Sequence, residues 1–187
     1  MSITTTDRLK ELLPQLFSQQ QAKGNYYLRF QLTDDLNLLL DLSYVQESLT
    51  VESSQITAMP NFPNYVMGLM SSQNQVFLAV DLAHLAGFAP QPLNQRQCQT
   101  IVVRVDSSQT KAEEFDLYGL SVKRIQGVSR ISPEKFQSLP AAAPENLRPF
   151  LSGFVRDVEN NGDRSIKPSQ LQPAFLIDLP RLIASRI

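Results

Sequence analysis

Apolar and polar residues alternate along several short stretches of this chain, as they do in β-strands with one buried face. The clearest case is residues 26–31, in which tyrosine, leucine and phenylalanine alternate with tyrosine, arginine and glutamine. Further short apolar runs also predict strands: Leu36–Val45, Val76–Val80, Ile101–Val105, Phe115–Val122 and Phe175–Ile177. Prolines interrupt the chain too often for long helices. We therefore expect a mainly β protein built as barrels or a sandwich.

Helical periodicity is strongest near the N-terminus, where large apolar residues recur at helical spacing within residues 6–20. The spacing predicts one amphipathic helix, capped by Thr6 or Asp7 and bent by Pro14. The residues of its apolar face are Leu9, Leu12, Leu13, Leu16 and Phe17. Exposing five large apolar side chains to solvent is unfavourable. We therefore expect this face to pack on the strands or on another protein. The polar residues up to Gly24 are the expected linker.

Two shorter helical turns are predicted later in the chain, and an aspartate opens each of them. Asp81 precedes an apolar turn that stops at Gly87, and Asp178 precedes a turn with Pro180 near its start. An aspartate caps a helix by accepting a hydrogen bond from a free backbone N–H, and proline is tolerated in a first turn. We therefore interpret the two aspartates as helix caps rather than as a pair of catalytic carboxylates.

The chain contains an internal repeat, in which residues 44–60 lie over residues 124–140 without a gap. The identical pairs are Gln46/Gln126 and Pro60/Pro140, and the apolar pairs are Val45/Ile125, Val51/Ile131, Ile56/Phe136 and Met59/Leu139. Downstream, a glycine and then an apolar residue followed by Asp-Leu recur in the same order in both copies. The ordered recurrence indicates two similar structural units.

The repeat predicts the domain organisation. We expect an N-terminal helix and linker over residues 1–24, followed by one domain over residues 25–187. Within that domain, the expected lobes cover about 25–90 and 95–187, and the pattern leaves open whether they exchange strands. Because a lone small barrel has a thin core, the two lobes should share one. A polar insert at 157–169 is expected to be an exposed hairpin loop.

Charge and composition narrow the possible functions. The chain has 17 Lys and Arg against 18 Asp and Glu, and no basic stripe of the kind that nucleic-acid binding requires. No window approaches the ~20 apolar residues of a membrane-spanning helix, and no signal peptide is evident. A single cysteine, Cys98, excludes an internal disulfide and fits a reducing cytoplasm. We expect a cytoplasmic protein that binds no nucleic acid and is not integral to a membrane.

The same composition limits catalysis and metal binding. Cys98 and His84 are the only residues of their types, so a Cys/His zinc site cannot be assembled. Phosphate-binding and hydrolase motifs are absent from the sequence. Cys98 stands between two glutamines without an activating charge, and His84 lies in a short helical turn without an evident partner. We therefore expect no metal, no cofactor and no enzymatic activity.

The region from Tyr26 to Ile183 resembles the CheW domain of bacterial chemotaxis and twitching-motility systems. The resemblance rests on a proline-rich turn, a glycine, a strand and an Asp-Leu pair in that order. The segments that carry it are 45–47, 56–63, 65–70, 76–82, 118–122, 151–153 and 175–179, with Ile125 and Val128. It implies two five-stranded, SH3-like β-barrels packed together, and an adaptor in two-component signal transduction that catalyses nothing.

The resemblance also implies two partners, the cytoplasmic tip of a chemoreceptor and a CheA-like histidine kinase. By that resemblance, the binding residues are Val45, Glu47, Gly68, Gln73, Gly119, Ile125, Val128 and Gly153. For Val45, Ile125 and Val128, core packing stays open as an alternative. The glycines could instead permit tight turns or bulges. Glu47 has apolar strand neighbours, so its charge should face solvent or a partner, because burying it alone is costly.

Two positions depart from the family pattern. A motif of Asn-Leu-Arg-Gly normally follows the glycine at Gly68, but here Gln73 stands in place of the arginine, and Lys123 stands in place of an aspartate. Glutamine is neutral and shorter than arginine, so it would hold an acidic partner group less strongly. Because of these departures, we keep as an alternative hypothesis an adaptor of a type IV pilus twitching pathway or of a phototaxis pathway.

A third hypothesis is a small hydrolase or ligand-binding β-barrel. A deep pocket lined by Asp81, His84 or Asp178 would support it.

Overall fold

The computed structural model describes residues 24–91, 96–106, 115–156 and 173–187, and most of them lie in β-strands. The strands are β1 (Asn25–Thr33), β2 (Leu36–Asp41), β3 (Val45–Glu52), β4 (Val66–Ser72), β5 (Gln75–Asp81), β6 (Gln97–Asp106), β7 (Phe115–Val122), β8 (Arg124–Ile131), β9 (Leu151–Val155) and β10 (Ala174–Ile177). The helices are α1 (Leu82–Leu85) and α2 (Leu179–Arg186). The predicted N-terminal helix and the predicted hairpin loop at 157–169 lie outside the described residues.

The strands form two five-stranded sheets. The first sheet has the order β8-β1-β2-β10-β9, and the second has the order β3-β6-β7-β5-β4. Strand β10 runs parallel to β2, and β5 runs parallel to β7, whereas the other neighbours are antiparallel. The predicted fold class, mainly β with two five-stranded units, is confirmed.

Each sheet takes strands from both halves of the chain. Strands β1 and β2 of the first half pair with β8 and β10 of the second half, while β3 and β5 pair with β6 and β7. The two matching sheet orders show that β1 to β5 and β6 to β10 are equivalent sets. Each sheet therefore combines strands from both sides of the expected division near residues 90–95, and the division itself stays a prediction.

Each sheet is closed by the segment that follows its edge strand. After β3, the 3-10 turn Ser53–Gln55 redirects the chain, and Thr57 then forms a bridge to Leu69 of β4 at the opposite edge. After β8, a second 3-10 turn leads Gln137 to the equivalent bridge with Phe154 of β9. The two turns and bridges fall at matching positions of the sequence repeat. Closure covers the sheet edges, which would otherwise expose unpaired backbone groups.

The two barrels share one large apolar core. One face of β1 and β2 packs against one face of β6 and β7, together with α1 and α2. The opposite faces form a small inner cluster in each barrel. The first inner cluster consists of Tyr27, Leu39, Ile131, Val155 and Ala174. The second inner cluster consists of Val51, Met70, Phe77, Ala79, Cys98 and Val102. Burial on both faces explains why these strands are more apolar than strict alternation requires.

Both predicted helix caps are confirmed. The Asp81 carboxylate accepts a hydrogen bond from the His84 N–H at 3.2 Å, and the Asp178 carboxylate accepts one from the Arg181 N–H at 3.2 Å. Gly87 follows α1 with a φ of 84°, which suits the end of a helix. The predicted strand over Leu36–Val45 proves shorter, because β2 ends at Asp41 and a 3-10 turn then carries the chain to the second sheet.

Candidate functional site

The chain crosses between the sheets at two equivalent places, and a predicted binding residue follows each crossing. A 3-10 turn leads from β2 to Val45 at the start of β3, and Lys123 leads from β7 to Ile125 near the start of β8. Both side chains are half-buried and pack against the rim of the shared core. Val45 and Ile125 thus pack against the core and also reach the surface.

A β-bulge follows each crossing and changes which side chains share a face. Gln46 is the extra residue of β3, and Gln126 is the extra residue of β8. These are the identical glutamines of the sequence repeat. Because of the bulge, Ile125 and Val128 lie on one face although three positions separate them. The Gln126 amide donates a hydrogen bond to the Asn37 side-chain oxygen at 2.9 Å, which links β8 to β2 across β1.

Glu47 and Gln73 are in contact although they belong to different strands and turns. Gln73 and Asn74 form the two-residue turn between β4 and β5, with φ values of 46° and 63°, as the commonest hairpin turns require. The turn reaches β3, where the Gln73 amide donates a hydrogen bond to the Glu47 carboxylate at 2.9 Å. An arginine at this position would bring a fixed cation to that carboxylate. Glutamine keeps the hydrogen bond and removes the charge.

The three predicted binding glycines are buried, and each makes room for another part of the chain. A Cβ atom on Gly68 would lie 2.2 Å from the Thr57 carbonyl oxygen, at the bridge that closes the second barrel. A Cβ on Gly119 would lie 2.9 Å from a methionine and a phenylalanine of the second inner cluster, and a Cβ on Gly153 would lie 2.9 Å from Phe136. Tight internal packing accounts for all three buried glycines, and their contribution to binding stays a prediction.

Three residues form an apolar surface on β1 and β8, which we call the apolar stripe: the exposed Tyr26 and Val128 and the half-buried Ile125. Tyr26 is 49% exposed and Val128 is 39% exposed. Val128 stands opposite the buried Leu28, so the stripe extends the shared core to the protein surface. The guanidinium of Arg130 lies 5.3 Å from the centre of the Tyr26 ring. Adjacent exposed apolar side chains on an edge strand are typical of protein contacts.

Tyr26 was not among the predicted binding residues. The alternation of residues 26–31 assigns it to the buried face of its strand, which is correct for Leu28 and Phe30. Tyr26 lies at the beginning of β1, beyond the edge of the shared core, and is therefore exposed. Its position directly after the linker is the signal that could have identified it.

Lys123 pairs with Asp34, which lies in the turn between β1 and β2. Both side chains are exposed, at 38% and 82%, so the pair adds little to stability. Its effect is on surface charge, because the Lys123 ammonium offsets the charge of the Asp34 carboxylate.

A cavity of about 510 Å³ lies at one end of the second barrel, and its lining includes Asp81, His84 and Cys98. The Asp81 carboxylate already accepts hydrogen bonds from the backbone N–H groups of His84, at 3.2 Å, and Gln91, at 2.8 Å. Cys98 is buried with its sulfur 3.6 Å from the Val51 carbonyl oxygen. Asp81 therefore serves to hold α1 and the following loop. Titratable residues therefore line the cavity, but their side chains are not arranged as a catalytic unit.

Burial changes the pKa of three groups inside the fold. It raises the pKa of Tyr27, with a further increase from Asp41, and it raises the pKa of Tyr118, with a further increase from Asp116. It lowers the pKa of Arg29. The two tyrosines belong to different clusters of the core, so these shifts mark packing rather than one titratable site. Within the four described ranges, no group of three or more His, Cys, Asp or Glu is placed to hold a metal ion.

The protein is thus a pair of β-barrels that share one core and carry an apolar stripe and a polar turn on their surfaces. The chain belongs to the CheW-like domain family, whose model matches residues 26–186. Members of this family are scaffold proteins and not enzymes. The resemblance stated from the sequence is thereby confirmed.

A solved structure supports the same fold. The scaffolding protein TtCheW from Thermoanaerobacter tengcongensis is similar with a TM-score of 0.61 and 17% sequence identity, over 85% of this chain and 92% of that chain. No curated protein matches the chain. Among the described residues, no helix has the length and apolar character needed to cross a membrane.

Proposed function

We propose that this chain is a non-enzymatic cytoplasmic adaptor that couples a sensory receptor of the methyl-accepting chemotaxis type to a CheA-like histidine kinase. The observation that carries the proposal is the CheW-like domain, which spans residues 26–186. The mechanism is stoichiometric. Binding both partners at once fixes their relative geometry and raises their effective concentration, and no bond is made or broken.

One partner surface is the apolar stripe. Its tyrosine and two aliphatic side chains can be buried by a partner, and such anchors supply most of the affinity in protein interfaces. Arg130 at the end of the stripe can pair with an acidic residue on the rim of the partner. Because Tyr26 and Val128 are exposed on the surface of β1 and β8, a partner can bury them without displacing another strand.

The second partner surface is the polar turn of the second barrel, where Gln73 contacts Glu47. The turn belongs to the second sheet, whereas Tyr26 and Val128 belong to the first. Surfaces on different barrels allow two partners to bind together, which coupling requires. The turn offers hydrogen-bond donors and acceptors with one carboxylate and no cation of its own. It therefore suits a neutral or basic partner group better than an acidic one.

The two residues that depart from the family pattern affect which signalling pathway the adaptor is proposed to serve. Gln73 and Lys123 each differ in charge from the family pattern, so the partners should carry compensating differences. An adaptor of type IV pilus twitching or of phototaxis would meet this condition. Deleting the gene and scoring surface twitching, phototaxis and swimming separately distinguishes these pathways.

The binding proposal is tested by capture of partners from native cell extract with the tagged full chain. The wild-type chain should recover a CheA-like kinase and a chemoreceptor. Val128→Glu places a charge in the apolar stripe and should reduce recovery of one partner by about ten-fold or more, as loss of a central contact does. Val76→Glu is the matched control for the apolar stripe, because Val76 is 68% exposed and lies on the second sheet, whereas the stripe lies on the first. Recovery of neither partner by the wild-type chain would contradict the proposal.

A further inference from the structure

We propose that the cavity at the end of the second barrel binds a small molecule that carries a protonated amine on an apolar body. The cavity has a volume of about 510 Å³, and pockets that hold small molecules usually measure about 300–1,000 Å³. Its described lining includes no residue of the apolar stripe or of the polar turn. The inference therefore goes beyond the adaptor function and does not depend on it.

The segment that follows α1 forms one wall of the cavity, and hydrogen bonds hold it in place. The Gln91 backbone N–H donates to the Asp81 carboxylate at 2.8 Å, and the Gln91 side-chain amide donates to the Ser121 carbonyl oxygen at 3.2 Å. At the start of the segment, the Phe88 N–H donates to the Ala83 carbonyl oxygen at 2.9 Å. Sites for small molecules are usually formed before the ligand arrives, and these bonds preform this one.

Apolar side chains make up half of the described lining. They belong to Ala58, Val66, Met67, Pro90 and Cys98. A ligand body that is itself apolar removes both surfaces from water when it enters, which favours binding. Met67 has an unbranched side chain, so it can adapt its shape to the ligand. The lining therefore suits an aliphatic or aromatic body.

The Asp81 carboxylate selects the polar end of the ligand. Its two oxygens offer about four acceptor positions, and the backbone N–H groups of His84 and Gln91 use two of them. Asp81 is only 6% exposed and lines the cavity, so a donor reaches the other positions from the cavity. The described lining contains no lysine or arginine. A protonated amine would form a charge-assisted hydrogen bond there, whereas a ligand carboxylate would be repelled.

The internal repeat shows that the fold does not require an apolar lining at this end of a barrel. Strand register relates three lining residues to more polar counterparts in the first barrel. The pairs are Met67/Ser152, Cys98/Asn25 and Ser121/Asp41. Both barrels keep the aspartate cap, but Asp178 accepts one backbone hydrogen bond where the buried Asp81 accepts two. Only the second barrel thus combines a less polar lining with a buried carboxylate, which an amphipathic amine requires.

The proposal is tested by titrating the full chain with phenethylamine at constant pH. His84 and Cys98 are the only histidine and cysteine of the chain and both line the cavity, so their signals report on this site. The amine should shift the His84 imidazole resonances saturably in NMR spectra and slow alkylation of Cys98 several-fold. Phenethyl alcohol and hydrocinnamate carry the same ring without a cation. They should bind about ten-fold more weakly or worse, because the charge-assisted hydrogen bond is lost.

Three variants locate the site and its charge preference. Ala58→Trp fills the cavity from an exposed position of its rim and should weaken binding of the amine by about ten-fold or more, because the ligand body loses its space. Ala142→Trp is the matched control, at an exposed alanine outside the described lining, and should leave binding unchanged. Asp81→Asn removes the charge at nearly constant size and should abolish the preference for the amine over the alcohol.

The expected pattern is a saturable His84 shift that prefers the amine and is lost in Ala58→Trp but not in Ala142→Trp. No shift with the amine, equal affinity for the three probes, or full binding by Ala58→Trp would overturn the proposal. If Asp81→Asn fails to fold, the three probes on the wild-type chain still decide the charge preference. None of these measurements involves a receptor or a kinase, so failure here leaves the adaptor proposal standing, and failed partner capture leaves this site untouched.

Discussion

Glycine is indispensable at some positions of this chain and replaceable at others, and two residues illustrate the difference. Gly68 has a φ of 146°, and a side chain there would collide with the Thr57 carbonyl oxygen at 2.2 Å. Gly127 has a φ of 116°, but a Cβ atom would meet nothing within 4 Å. Both positions strain an L-residue, and only the first also opposes closure of a barrel.

Gly68→Ala should therefore destabilise the protein much more than Gly127→Ala. Backbone strain alone costs about 1–3 kcal/mol at either position, and at Gly68 the backbone collision should add to that cost because Thr57 must move and weaken its bridge to Leu69. Urea unfolding of both variants gives the comparison. Equal losses of unfolding free energy would show that the closing bridge matters less than its geometry indicates.

The buried tyrosines predict how stability depends on pH. The pKa values of Tyr27 and Tyr118 are raised above 10.0 in the folded protein, so the neutral phenols contribute stability that is fully present below pH 10. As the pH rises through the folded-state pKa values, this stability is lost. Unfolding free energy measured from pH 8 to pH 11 should fall above pH 10. Tyr27→Phe with Tyr118→Phe should reduce that fall, and Tyr26→Phe, at an exposed ring, should not.

At the scale of secondary structure, the strands with an even polar–apolar pattern were predictable and the bulged ones were not. Strands β1, β5, β6, β7 and β10 coincide with predicted runs. In β8 Gln126 is an extra residue, so Ile125 and Val128 share a face although they are three positions apart. Ile131 lies on the other face of the strand, in the first inner cluster. Strands β4 and β9 are interrupted in the same way near Gly68 and Gly153. The period-two pattern is lost where the extra residue falls inside the strand, and β1 keeps it over residues 26–31 because its own irregularity lies after Gln31.

The two helix caps should differ in their contribution to stability. Asp178 accepts one backbone hydrogen bond at the start of α2, and its loss should cost about 1 kcal/mol. Asp81 is buried and accepts two, so Asp81→Ala leaves two N–H groups without their acceptor and should cost roughly 2–4 kcal/mol. Asp178→Asn, which retains an acceptor, is the control for the exposed cap. Chemical denaturation measures all three, and equal losses at both caps would argue against a structural role for the buried carboxylate.

At the scale of the whole molecule, the sequence repeat predicts two similar units but not which strands pair. The same hydrophobic faces are buried whether β1 and β2 join their own repeat or the other one. The contact of Gln73 with Glu47 was equally beyond sequence reasoning, because it depends on a hairpin turn of β4 and β5 reaching across to β3. Burial of Gly68, Gly119 and Gly153 likewise follows from the closed barrels and not from the local sequence.

Exchange of strands between the repeats predicts that the domain unfolds as one unit. Each barrel contains strands of both repeats, and one apolar core joins them. Leu39→Ala in the first inner cluster and Met70→Ala in the second should each cost about 2–5 kcal/mol. Each should lower the midpoint of a single transition seen alike by far-UV and near-UV circular dichroism. Two separate transitions, with each substitution moving only one of them, would contradict a shared core.

The most direct test of the adaptor function is the mass of the complex formed by the full chain with a CheA-like kinase and a chemoreceptor cytoplasmic tip from the same organism. Size-exclusion chromatography with light scattering measures that mass for each pair and for the three proteins mixed. A ternary complex that requires this chain, and that loses one partner in Val128→Glu but none in Val76→Glu, is the predicted result. Partners that displace one another, or that associate equally well without this chain, would contradict its function as a coupling scaffold.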